Sequence, residues 1–152
     1  MNKALIAISG VILGLTLWSF QSDNETELDN CKIMVHVDGL RNSTGNVQFT
    51  LYNKEGSIPD EHYENYYRQK DGVIQDGEAK VIFENIPKGN YALNILHDED
   101  MNGKIKKGWI LPTEGIGFTN YSSIGLGNRP NFEDASFPVD TNCYKKVKII
   151  YM

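Results

Sequence analysis

From Lys32 the chain reads KIMVHVDGL, with Ile33, Val35 and Val37 facing one way and Lys32, Met34, His36 and Asp38 the other. A period of two predicts a half-buried strand. RNSTGN is a turn cluster, and VQFTLYN then alternates again with Val47, Phe49 and Leu51 on one face, so the two runs predict a hairpin. Segment 56–71 changes period. Ser57 is a candidate N-cap, Pro59 comes early, Asp60 and Glu61 fill a first turn, and Tyr63, Tyr66 and Tyr67 recur at three and four. That spacing predicts a short helix. DGVIQDG predicts a turn and a short strand. AKVIFENI is a strand turned by PKGN into YALNILHD, whose two faces are both apolar and which therefore reads as central. From Glu99 to Asp140 periodicity fades into a long Gly-rich loop, of the kind that often carries function. CYKKVKIIYM closes the chain as a strand. Short strands at close spacing with one short helix predict an all-β fold, a Greek-key, Ig-like β-sandwich of about seven strands.

The first residues are a separate object. Met1–Lys3 supply one positive charge, Ala4 to Phe20 carry none, and Asp23 and Glu25 follow. This is the plan of a secretory signal over residues 1–22, cut after Ser19 or Ser22. A retained membrane anchor is the alternative, since seventeen apolar residues reach the lower limit of a span. Residues 23–30 read as a flexible lead, and residues 31–152 as one domain. Export implies a periplasmic or extracellular place, with no membrane contact after cleavage. Cys31 and Cys143 are the two cysteines, near the ends of the mature chain, and an even count in an oxidising compartment predicts a disulfide. Closing so long a loop is worth roughly 4–5 kcal/mol in the chain-entropy picture. There is no CxxC, so zinc ribbons and thioredoxin-like chemistry have no support. Lys plus Arg is 15 against 20 Asp plus Glu, a net charge of −5, which disfavours nucleic acid as a partner. A monomer is expected.

Candidate chemistry concentrates after the central strand. Asp98, Asp100 and Asn102 alternate and Gly103 follows, as in the first half of a calcium-binding EF-hand loop. Lys104 offers a backbone carbonyl at the seventh position. The twelfth is Trp109 rather than a bidentate Glu, and the flanks read as strands, so this is no EF-hand. Glu114 is a distant further ligand. Two readings stand: weak calcium binding, with no other cofactor, or an Asx-rich turn whose carboxylates cap backbone N–H groups. His97, Trp109, Glu114, Phe118 and Asn120 are candidates to line a groove for a peptide or glycan. The competing reading packs the aromatics of this loop onto the sandwich. No GxSxG, GxGxxG or Walker pattern occurs. An envelope hydrolase using His97 and the acidic loop is the alternative to a non-enzymatic module.

The series NIPKGNYALNILHDEDMNGKIKKGWILPTEGIGFTN, followed by RPNFEDASF, resembles an exported bacterial family known only as a domain of unknown function. Its pattern is PxGxYA, then HDxNxNGKxD, then GxPxEGxGFSN, then PxFxDAxF, and the resemblance covers residues 31 to 151. It implies a transthyretin-like (prealbumin-like) sandwich of the cell envelope and no established activity. One departure bears on the metal reading: Lys104, Ile105, Lys106 and Lys107 follow Gly103 where the family pattern has an acidic residue.

Overall fold

A computed structural model describes residues 30–105, 113–125 and 127–152. The predicted signal over 1–22, most of the flexible lead, Lys106, Lys107 and Trp109 lie outside the described residues. Eight strands and one short helix follow in order: β1 (Cys31–Asp38), β2 (Asn46–Tyr52), β3 (Arg68–Gly72), β4 (Ala79–Ile86), β5 (Gly89–Asp98), β6 (Gly115–Phe118), α1 (Phe132–Ala135), β7 (Phe137–Val139) and β8 (Cys143–Lys148). They form two sheets. The first runs β4-β1-β8, with β8 parallel to β1. The second runs β3-β2-β5-β6, and β7 pairs with the start of β5.

The apolar faces of both sheets meet in one core. Ile33, Val35 and Val37 of β1 and Val147 of β8 pack against Val47, Phe49 and Leu51 of β2 and Leu93 and Ile95 of β5. Period-two patterning puts each of these inward. A second cluster covers the opposite face of the second sheet. Tyr52, Ala92, Leu96, Ile116 and Phe118 meet Ile58, Tyr63 and Tyr121 from the loops. This is why β2 and β5 are buried on both faces. Among the described residues no helix is long and apolar enough to cross a membrane.

Three expectations are corrected. Neither predicted hairpin forms: β1 pairs with β4 and β8, β2 with β3 and β5, and the chain steps between sheets at both turns. Residues 56–67 hold no helix. The Asp60 carboxylate accepts the N–H groups of Glu64 and Asn65 at 3.1 and 2.8 Å, and Tyr63 sits at φ 54°. A side chain that takes those donors offers the backbone an alternative to a helix. The helix lies instead at Phe132–Ala135, where the Asn131 side chain accepts from the N–H of Asp134 at 2.9 Å.

Glycines let the sheets close at one edge. Beyond β8, Ile150 exchanges hydrogen bonds with Ile116 of β6 at 3.0 and 2.8 Å. A Cβ on Gly115 would stand 2.5 Å from the Tyr151 ring, and one on Gly117 2.5 Å from the Lys148 carbonyl oxygen. Only residues without a Cβ admit that crossing.

Candidate acidic site at the end of the second sheet

β5 ends in Asp98, and its last pairs set the site. Asn46 lies opposite Asp98 on one side. On the other, β5 and β6 pair as far as His97 and Gly115, which puts Glu114 one step beyond, beside Asp98. Asp98 and Glu114 are both 2% exposed. Asp98 Oδ1 accepts from the Asn102 N–H at 3.1 Å and Oδ2 from the Gly103 N–H at 2.7 Å. Asn102 Oδ1 accepts from the Lys104 N–H at 2.7 Å. Glu114 Oε1 accepts from the Glu99 N–H at 3.0 Å. The turn-capping expectation therefore describes Asp98 well. The exposed Asp100 joins the pair: one carboxylate oxygen from each of Asp98, Asp100 and Glu114 lies within 4.8 Å of the other two. Carboxylates gathered so closely are suited to a hard cation, which takes oxygen ligands.

The frame beneath this corner is tight. Gly45 has φ +74°, and a Cβ there would stand 1.9 Å from the Asp98 carbonyl oxygen. Arg41 pairs with Glu99, its Nε 2.9 Å from Oε1. It also donates to the Thr113 carbonyl at 3.2 Å and lies over the Tyr151 ring at 4.7 Å. The Arg41 guanidinium, aided by Asn42, holds the Glu99 carboxyl down at about 2 against partial burial.

The remaining candidates disperse. His97 is fully buried, with Nδ1 2.7 Å from the Tyr151 hydroxyl and Nε2 3.0 Å from the Thr44 carbonyl oxygen. A carbonyl only accepts, so Nε2 donates to Thr44, and the Tyr151 hydroxyl is the partner of Nδ1. His97 points inward and Asp98 outward, so imidazole and acidic corner do not face each other. Phe118 is buried in the outer cluster. Asn120, at φ 66°, donates to the carbonyls of Asp134 and Ser136 at 3.0 and 2.9 Å. It also borders a shallow cleft with Tyr121, Asn128 and Asp134. Cys31 and Cys143 lie on one face of adjacent parallel strands, with Ile33 opposite Cys143. The offset of two residues is about 6.6 Å of strand. Burial pushes the Cys143 thiol up.

Two features went unread in the sequence. On the open face of the first sheet, His36 Nδ1 is 2.6 Å from the Tyr144 hydroxyl and Nε2 3.0 Å from Glu78 Oε2. At the acidic corner, Asn46 and Gln48 of β2 belong to the same face as Asp98. Their only sequence signal is their phase opposite Val47 and Phe49.

Comparison with curated proteins and with solved structures gave no match. A family model does match, over residues 35–147, described as an uncharacterized protein conserved in bacteria. The match takes in the second half of β1, the acidic corner, α1 and most of β8, and the chain therefore belongs to this family, DUF2141.

Proposed function

We propose that this protein is an exported, monomeric, non-enzymatic binding module of the bacterial cell envelope, a transthyretin-like sandwich that holds calcium at the corner formed by Asp98, Asp100 and Glu114. One observation carries the reading: three carboxylates, two of them buried, converge where Asp98, Asp100 and Asn102 alternate before a glycine. Burying like charges together is costly unless a cation or protons offset them. Asn102 and the Lys104 carbonyl are further oxygen donors. Glu114 supplies the acid that the twelfth position lacks. The Lys104 charge beside the site limits affinity, so the dissociation constant is expected near 10⁻⁴ M, about the extracellular range. The hydrolase alternative gains nothing from this arrangement, because His97 is enclosed on the other face.

Thermal unfolding with and without calcium tests the site. At about a hundred times the dissociation constant, near 10 mM calcium, linkage adds about 2.7 kcal/mol, a rise of several degrees. Asp100→Ala and Glu114→Gln should each abolish the rise. A wild-type melting point indifferent to 10 mM calcium overturns the reading. Export carries its own consequence: a thiol oxidant of that compartment takes two electrons and two protons from Cys31 and Cys143 to leave a disulfide. Alkylation of exported protein without reductant should then label neither cysteine; two labelled thiols would remove the bridge.

A further inference from the structure

We propose that the cation's shell extends onto β2, with the side-chain amides of Asn46 and Gln48 as ligands alongside the three carboxylates. The inference rests on the calcium reading above. Asn46 is the cross-strand partner of Asp98, so the two side chains leave the second sheet on the same side. Its Oδ1 is buried and accepts no hydrogen bond. Gln48 is two residues on, on the same face, and 3% exposed. Its Nε2 is buried with no partner. Its Oε1 lies 3.7 Å from where a Cβ of Gly103 would stand, and the Gly103 N–H is the donor that holds Asp98 Oδ2 at 2.7 Å. The Gln48 amide head is thus tucked under the very turn that carries the carboxylates.

Buried polar groups are almost always partnered, and an orphan needs an explanation. Two orphan amides beside three gathered carboxylates have one in common. A calcium ion takes six to eight oxygens, neutral amide oxygens as readily as carboxylates. Rotation about χ3 exchanges the oxygen and nitrogen of Gln48, and this presents the oxygen where the unpartnered nitrogen stands. Asp98, Asp100, Glu114, the Asn102 side chain and the Lys104 carbonyl offer five oxygens. Asn46 and Gln48 make seven, within the calcium range and above the six of magnesium. The neutral amides raise the count without adding negative charge. Because β2 supplies them, the ion ties the turn after Asp98 and Glu114 to a further strand of the sheet rather than to that turn alone.

Calorimetric titration of the whole mature chain with calcium and then magnesium tests this. Asn46→Ala and Gln48→Met are expected to weaken calcium at least tenfold while leaving the calcium-free melting point unchanged or higher, since each removes an orphan. Gln48→Glu, which adds a charged ligand, should tighten calcium. In the wild-type protein, side-chain amide ¹⁵N resonances of both residues should move on calcium addition, a readout that needs no variant to fold. If wild type binds calcium but the two neutral variants bind it equally and the amide resonances stay fixed, the β2 ligands are wrong and the carboxylate site stands. If wild type binds none, both fall together.

Discussion

Two turns of this molecule are built alike and end differently. In DEHYEN, Asp60 accepts from the N–H groups four and five residues on, those of Glu64 and Asn65. In DEDMNG, Asp98 does the same with Asn102 and Gly103. Each turn has a left-handed residue three positions after its aspartate, Tyr63 at φ 54° and Met101 at φ 57°. Both aspartates are buried. The company each keeps differs. Asp60 Oδ2 also accepts from the Tyr52 hydroxyl at 3.2 Å. Burial, with Asp60 close by, pushes that phenol up and keeps it neutral. Asp98 has Asp100 and Glu114 instead. The same local bracing therefore serves a sealed loop in one place and a gathered set of carboxylates in the other. Bracing by itself says nothing about a cation; the neighbours at the second position and across the sheet do.

The largest effect comes from removing either aspartate. Asp60→Ala and Asp98→Ala each break two part-buried hydrogen bonds from backbone N–H groups to a buried carboxylate, and a bond to a charged group contributes about 1.5–3 kcal/mol. A loss of about 2–4 kcal/mol is expected for Asp60→Ala by denaturant unfolding. The loss for Asp98→Ala should be smaller in calcium-free buffer, because it also relieves repulsion from Asp100 and Glu114. Adding 10 mM calcium should widen the gap between wild type and Asp98→Ala and leave the gap for Asp60→Ala as it was. Equal losses in both buffers would mean that the two turns do the same job.

The contrast also shows what the sequence made legible. The positions of β1, β2, β4, β5 and β8 were readable because a buried face writes a period of two, as in Ile33, Val35 and Val37; β3, β6 and β7, which fall where the pattern read as helix or long loop, were not. Sheet membership was not, because alternation names the buried face and not the partner across it. The spacing of Tyr63, Tyr66 and Tyr67 suits a helix, yet Asp60 claims the backbone donors and Tyr63 turns left-handed, and neither event alters a periodicity. At the acidic corner, Asp98, Asp100 and Asn102 were visible through their spacing. Glu114 comes into place through β5–β6 pairing, which no local pattern records. Asn46 and Gln48 read as the solvent side of a half-buried strand because nothing local announces that loops cover that side.

A smaller effect separates the residues that follow the two aspartates. Glu61 is exposed, whereas Glu99 is paired with Arg41 and held at about 2 against an ordinary 4.5. A carboxyl lowered by folding contributes stability that is complete above its unfolded value and is lost as pH falls through its folded one. Glu99 should therefore withdraw its contribution between pH 4.5 and about 2. Arg41 is 42% exposed, so solvent screens the pair and the contribution is modest. Acid titrations of wild type and Glu99→Gln should converge as pH drops through that window. Curves that stay parallel from pH 5 to 2 would deny Glu99 the role.

The smallest effect is the sharpest test of what distinguishes the turns. His62 occupies in DEHYEN the place that Asp100 holds in DEDMNG, and it is exposed. His62→Asp gives the first turn the alternating acids of the second while leaving it without a counterpart to Glu114. As a surface substitution it should change stability by no more than about 0.5 kcal/mol. If a cation needs carboxylates converging from across the sheet, the variant's calcium response should match that of wild type, and in an Asp100→Ala background there should be none. A calcium-dependent rise in melting point in the double variant would show that a braced turn with two alternating acids suffices. The convergence of Glu114 on Asp98 would then lose its standing as the feature that sets the acidic corner apart.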